Sequence, residues 1–172
     1  TCSDVNFTNT GKIETTNSDG GGAAIIIAGS TGTNTVTNSG EVTSAFNRGL
    51  DVSNTSGTTV TNAASGTITA EGNTGLNLAH TIDAVVTNSG TITANNEAIS
   101  LENDIAASDA GSGTSVTNSG TIQLTGTGST KYAILVGTSG KLYNDATITN
   151  TGTIASSAAG DSIHILASTT GT

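Results

Sequence analysis

The stretch VTNSGTI at residues 86–92 occurs again, letter for letter, at residues 116–122. Close variants of it stand at residues 7–13, 36–42, 60–68 and 148–154. The glycines of the six copies lie at positions 11, 40, 66, 90, 120 and 152, so successive copies are 29, 26, 24, 30 and 32 residues apart. A fixed motif that recurs at a variable interval of this size predicts a solenoid, with loops of different length between equivalent positions.

A second pattern follows each motif: a small residue, then two aliphatic residues separated by one other residue. The aliphatic pairs are Ile25/Ile27, Leu50/Val52, Leu76/Leu78, Ile99/Leu101, Ile134/Val136 and Ile163/Ile165. Alternation with a period of two indicates strands with one inward face, and helical spacing of apolar residues is absent. The chain therefore predicts an all-β fold, a parallel β-helix of about six coils with three short strands per coil.

The whole chain, residues 1–172, is predicted to form a single β-solenoid domain whose repeats start near residues 7, 36, 60, 86, 116 and 148. Stacked coils place equivalent residues about 4.8 Å apart. The motif should then form two inward columns, one of Phe7, Val36, Val60, Val86, Val116 and Ile148, and one of Ile13, Val42, Ile68, Ile92, Ile122 and Ile154.

The motif asparagine is predicted to lie at a turn, where its side chain can bond local backbone and tolerate a left-handed conformation. Stacked amides can also bond one another from coil to coil. The resulting structural ladder would contain Asn9, Asn38, Asn62, Asn88, Asn118 and Asn150. The motif glycine is predicted to supply a turn position with positive φ. Every position of the motif then has a structural role, and none is left for catalysis.

The composition excludes several classes of function. Four basic and 13 acidic residues give a formal net charge of −9, so neither nucleic-acid binding nor attraction to an anionic membrane is expected. No apolar run approaches the about 18 residues of a transmembrane helix.

Cys2 is the single cysteine, which excludes a disulfide within one chain. It is either an inert thiol or a link to a neighbouring subunit.

No catalytic residue set is visible, so the chain is expected to be neither an enzyme nor a cofactor-binding protein. The outward positions of the aliphatic strands carry one acid, Asp51, and no carboxylate pair. Glu102, Asp104 and Asp109 share one long loop and are the candidate Ca²⁺ ligands, because oxygen-rich loops can bind this ion. They match no EF-hand or nine-residue Gly-Asp repeat, and solvated loop acids are the alternative interpretation.

The pattern [VI]TN[ST]G-x-[IV], followed by the small-aliphatic-x-aliphatic strand, resembles the β-helical passenger domains of bacterial autotransporters and related surface adhesin repeats. The resemblance extends from Phe7 to about Ile165. It implies a right-handed parallel β-helix, export through the cell envelope and an extracellular location at the bacterial cell surface. No β-barrel translocator, signal segment or protease triad accompanies the repeat, so we expect a processed passenger, an excised segment or a small subunit.

The first class of function is a structural or adhesive solenoid. Neither end of the repeat has room for a capping helix, and an uncapped β-helix exposes unpaired strands. We therefore expect head-to-tail stacking on copies of itself, or continuation into further β-helix of a longer chain. Cys2, Phe7, Ile163 and Ile165 are the expected contacts between subunits. Such a chain would build a bacterial surface filament or stalk, and an autotransporter-type passenger fragment acting as an adhesin is the alternative.

The second class is an ice-binding β-solenoid, since ranks of outward Thr-x-Thr on a flat sheet can order water. Thr67 with Thr69, and Thr91 with Thr93, fit such ranks. The equivalent positions of the other four repeats do not. This sheet is therefore expected to be a poor ice-binding face.

Overall fold

The structure is a computed structural model that describes residues 3–16, 22–102, 113–137, 146–157 and 159–166. Within these ranges it contains eighteen strands and no helix. The VTN half of each motif forms the first strand of a coil, in β1 (Asn6–Asn9), β4 (Thr35–Asn38), β7 (Thr59–Asn62), β10 (Val85–Asn88), β13 (Ser115–Asn118) and β16 (Thr147–Asn150).

The second and third strands of each coil follow in the same order. The residues after the motif glycine form β2 (Lys12–Thr15), β5 (Glu41–Ser44), β8 (Thr67–Ala70), β11 (Thr91–Ala94), β14 (Thr121–Leu124) and β17 (Thr153–Ala155). The aliphatic pairs lie in β3 (Ile25–Ala28), β6 (Leu50–Ser56), β9 (Leu76–Ile82), β12 (Glu97–Glu102), β15 (Tyr132–Val136) and β18 (Asp161–Ile165).

Equivalent strands of successive coils pair in parallel and form three six-stranded sheets, which we call sheets 1, 2 and 3 in the order of the strands along each coil. Six coils are separated by five steps, so the chain makes about five turns between its first and last coils. The predicted all-β parallel solenoid with three strands per coil is confirmed. Parallel pairing without intervening helices follows from the three short strands that each repeat contributes.

The register places the motif residues in the columns that the sequence predicts. Val86 pairs with Val60 and Val116, and Ile92 pairs with Ile68 and Ile122. These side chains point inward and are nearly inaccessible to solvent in the middle coils. Each fully buried aliphatic side chain contributes roughly 1.5–3 kcal/mol, and a stack allows each coil to bury the faces of its neighbours.

The corners of the coil differ from the prediction. None of the six motif glycines or asparagines has a positive φ, so the predicted left-handed turn at this corner was wrong. Left-handed residues lie instead at the end of sheet 3, where Gly29, Asn54 and His80 have φ values of 66°, 53° and 55°. These three follow the aligned residues Ala28, Ser53 and Ala79 and therefore occupy equivalent positions in successive coils.

Candidate functional site: the asparagine corner and the end coils

An asparagine ladder runs along the corner between sheets 1 and 2. In every step the Nδ2 atom of one asparagine donates a hydrogen bond to the Oδ1 atom of the asparagine in the following coil. The steps are Asn9 to Asn38 at 2.8 Å, Asn38 to Asn62 at 2.9 Å, Asn62 to Asn88 at 2.8 Å, Asn88 to Asn118 at 2.7 Å and Asn118 to Asn150 at 2.8 Å. The ladder therefore has one direction throughout the rod.

The same amide groups also bond the backbone of the corner. The Nδ2 atom of Asn88 lies 3.3 Å from the carbonyl oxygen of Gly90 in its own coil and 3.1 Å from that of Thr121 in the next coil. Asn88 is fully buried. Buried polar groups are costly unless they are bonded, and the ladder provides these bonds at a position where a water molecule has no access.

The motif glycines lie where successive coils come closest together. A Cβ atom on Gly40, Gly90, Gly120 or Gly152 would overlap the backbone carbonyl of the glycine in the preceding coil. The equivalent atom on Gly66 would overlap the backbone of Asn38. Glycine is needed here because the backbones nearly touch, and the reason is steric instead of conformational. This contact between repeats is not visible within any single repeat.

Gly11 is the exception among the motif glycines. A Cβ atom at this position would meet no atom within 4 Å. Its coil is the first of the stack, so no carbonyl of a preceding coil lies against it. The structural requirement that explains the other five glycines is therefore absent at Gly11 in a single copy of the chain.

The last coil exposes residues that are core residues elsewhere. Ile163 and Ile165 expose 42% and 66% of their surface, whereas Ile134 and Val136, their partners in the preceding coil, expose 0% and 3%. In the first coil, Phe7 is partly buried and packs against the core cluster. Of the two end coils, the last one therefore exposes more of its aliphatic pair, since Ile25 and Ile27 in the first coil are buried.

The outer face of sheet 1 carries an unbroken threonine column. Its members are Thr8, Thr37, Thr61, Thr87, Thr117 and Thr149, which pair in register through all six coils. The parallel outward column contains Asn6, Thr35, Thr59, Val85, Ser115 and Thr147. None of these twelve side chains is charged or buried. The face is therefore uncharged, and it is polar except at Val85, which is an exposed apolar residue.

Sheet 2 is different because its first two coils are charged. Lys12 Nζ lies 3.1 Å from Glu14 Oε2 and 3.7 Å from Glu41 Oε1. The hydrogen bond to Glu14 and the negative charges of Glu14 and Glu41 raise the pKa of Lys12 above its usual 10.5. Thr67, Thr69, Thr91 and Thr93 follow on the next two coils, at the outward positions that the sequence predicts.

The outward positions of sheet 3 align as Ile26, Asp51, Asn77, Ser100, Leu135 and His164. Three of them are buried despite pointing away from the core: Asn77, Ser100 and Leu135 expose 1%, 0% and 8%. Alternation therefore predicts the orientation of these side chains but not their exposure. The Nδ2 atom of Asn77 donates to Asp51 Oδ1 at 2.9 Å, and Arg48 forms an ion pair with Asp51 at 3.1 Å.

The Ca²⁺ hypothesis stays a prediction. Glu102 ends β12 and its Oε1 atom accepts a hydrogen bond of 3.2 Å from Ser100. Asp104 and Asp109, like the proposed contact Cys2, lie outside the described residues. Within the described ranges, no three His, Cys, Asp or Glu side chains are grouped as metal ligands, and no helix is long and apolar enough to span a membrane.

No protein-family model matches the chain, and no curated protein and no solved structure matches it. The fold is a parallel β-solenoid. The resemblance of its repeat to autotransporter passengers and surface adhesins stays a prediction.

Proposed function

We propose that the chain is an extracellular structural protein, a β-solenoid building block of a bacterial surface filament or stalk that assembles end to end. The observation that carries the proposal is the exposure of Ile163 and Ile165 on the last coil. Parallel strands at the end of a stack present unpaired N–H and C=O groups beside this apolar surface, and such edges favour pairing with another strand. If this end-to-end contact repeats from copy to copy without closing into a ring, the copies form a filament.

The cellular part of the proposal rests on the resemblance alone. Repeats of the form VTNSGTI followed by an aliphatic strand are similar to autotransporter passengers, which implies export, a cell-surface location and right-handed winding. In the alternative, the chain is a passenger fragment acting as an adhesin, and further β-helix of a longer chain covers the end coils. Both alternatives use the same end faces and differ in what covers them.

The test is sedimentation velocity over a range of protein concentration, combined with negative-stain microscopy. We expect rods that lengthen as the concentration rises. Ile163→Glu should suppress this growth, because it places a charge on the end face. Val85→Glu is a matched control, since Val85 exposes 41% of its surface against 42% for Ile163 but lies on the side of the rod. A stable monomer at high concentration would remove the filament and leave the passenger fragment.

Ice binding is the second candidate, and the threonine column of sheet 1 favours it. Sheet 2 offers paired threonines in two coils, whereas sheet 1 offers an uncharged face with a threonine in every coil. Thermal hysteresis and inhibition of ice recrystallisation test this function. If sheet 1 binds ice, Thr87→Lys should abolish both effects and Thr93→Lys on sheet 2 should not. Absence of both effects in the unmodified chain would exclude this candidate.

A further inference from the structure

We infer that the first coil is a socket for the last coil of a second copy of this chain, docked in the register that joins successive coils within the rod. In this joint the Nδ2 atom of Asn150 donates to Asn9 Oδ1 of the next copy, and Gly11 of that copy lies against the carbonyl oxygen of Gly152. The inference rests on the proposed end-to-end assembly and specifies its contact. The two faces that would form the joint belong to the first and last coils, which lie at opposite ends of each copy.

The first argument is steric and concerns Gly11. The other motif glycines each lie against backbone of the preceding coil at a distance that excludes a Cβ atom. Gly11 has neither this contact nor a positive φ, so no described residue of the same copy requires glycine there. A preceding coil in the common register would supply the missing contact. The coil that carries the equivalent carbonyl group on an open face is the last one, at Gly152.

The second argument concerns the two ends of the asparagine ladder. Asn150 is exposed, and its Nδ2 atom donates to Gly152 O at 3.2 Å within its own coil. The equivalent atom of Asn118 also donates to the next asparagine and to the carbonyl of Thr153. At the other end, Asn9 Oδ1 accepts from the backbone of Gly11 but from no ladder amide of the described residues. One face thus offers a donor and the other the matching acceptor.

The third argument is that the remaining contacts are compatible in this register. The core columns would continue from Ile148 to Phe7, from Ile154 to Ile13, and from the pair Ile163/Ile165 to the pair Ile25/Ile27 of the next copy. Outside the core, Lys12 would lie beside Thr153, and Glu14 beside Ala155. Among the described strand residues of the two end coils, this register sets no like charges against each other, which would otherwise oppose docking. The opposite orientation, first coil against first coil, would place two acceptors of the ladder together.

The experiment uses two full chains joined from the C-terminus of one to the N-terminus of the other by a flexible Gly/Ser linker. Linking raises the effective concentration of the joint to the millimolar range, so the joint can dock even when free chains associate too weakly to polymerise. The readouts are the melting temperature and the length of the particle in small-angle scattering. The concentration is kept below that at which single chains associate.

Each substitution has a control in the same molecule. Gly11→Ala in the downstream copy is at the joint, and Gly11→Ala in the upstream copy is at a free end. Asn150→Asp in the upstream copy is at the joint, and the same change in the downstream copy is at a free end. We expect one continuous rod for the unmodified tandem. Each joint substitution should lower its melting temperature by about 5 °C and produce a hinged particle, whereas each free-end substitution should do neither.

Three results would overturn the inferred register: a hinged unmodified tandem, a tandem that melts like the single chain, or equal effects at joint and free end. Failure of the proposed function has a different signature. If single chains stay monomeric while the tandem docks and responds to Gly11→Ala at the joint, the register is supported. The filament of separate copies is then excluded, and the natural occupant of the socket is a coil of a longer chain.

Discussion

The fourth coil, formed by β10–β12, and the last coil, formed by β16–β18, carry nearly the same motif, VTNSGTI and ITNTGTI. In the fourth coil Asn88 and Ile92 are fully buried. In the last coil the equivalent Asn150 is exposed and Ile154 is only partly buried. The residue types of the two coils are nearly the same, but the fourth coil has a neighbouring coil on both sides and the last coil has one on one side only. Burial in a solenoid is therefore a property of the stack, and equal substitutions should have unequal effects along the rod.

The largest difference is expected for a charge in the core. Ile92→Asp buries a carboxylate without a partner and should lower the free energy of unfolding by more than about 4 kcal/mol. Ile165→Asp should have a much smaller effect, because Ile165 is 66% exposed. Urea unfolding followed by circular dichroism measures both. Thr91→Asp, on the outer face next to Ile92, is the control for orientation, and an effect equal to that of Ile92→Asp would contradict the assigned register.

The next difference concerns the motif glycines. Gly90→Ala places a methyl group against the backbone carbonyls of Gly66 and Ala63, which cannot move without separating the coils. We expect a loss of about 3 kcal/mol in the free energy of unfolding, at the upper end of overpacking effects. In dilute single chains Gly11→Ala should change it by less than about 0.5 kcal/mol. Equal losses for the two variants would show that glycine is required by the backbone conformation within each repeat and not by the contact between coils.

For the asparagine ladder, we expect a smaller difference in unfolding free energy between a substitution in the middle coils and one in the last coil. Asn88→Ala removes the acceptor of Asn62 and the donor to Asn118 in a region closed to water. Leaving a buried polar group unsatisfied costs about 1–3 kcal/mol. Asn150→Ala removes one step at an exposed position and should cost less. Thermal unfolding of the two variants in parallel gives the comparison, and a larger loss for Asn150→Ala would contradict it.

The smallest effect is expected at the charged edge of the first two coils. Lys12→Met removes an exposed cation between Glu14 and Glu41, and such pairs are screened by water and salt. Since the pKa of Lys12 is raised in the folded chain, its stabilising contribution is present below the usual 10.5 and is lost as the pH rises past the folded-state value. Melting temperatures of the two proteins should therefore differ slightly at pH 7 and converge as the pH rises past the folded-state pKa of Lys12.

Most of the fold could be predicted because the repeat appears six times and its alternation has a period of two. This information determines which residues share a column, as the pairing of Val86 with Val60 and Val116 shows. The reason for the glycines could not be predicted from a single repeat, because the atoms that exclude a side chain belong to another coil. The burial of Leu135 on an outward position likewise depends on packing outside the alternating pattern.

The candidate site was predictable in its members and less so in its geometry. The spacing of the six asparagines suffices to predict a ladder. It does not indicate which amide donates to which, because both directions satisfy the same spacing. The outward orientation of the threonine beside each inward valine is predicted by alternation, but only the residues after the motif glycine were considered as an ice-binding face. The T of each VTN could have indicated the threonine column of sheet 1, since this residue alternates with the inward valine and recurs in all six motifs.

The common direction of the asparagine bonds gives the rod an electric dipole. Each side-chain amide is a dipole similar to a peptide unit, which has about 3.5 D, and six aligned amides add along the axis. The amide hydrogens point toward the last coil, so that end carries partial positive charge and the first coil carries partial negative charge. This orientation is opposite to that of an α-helix. Each added copy would lengthen the row of dipoles, and neighbouring bonds in such a row polarise one another.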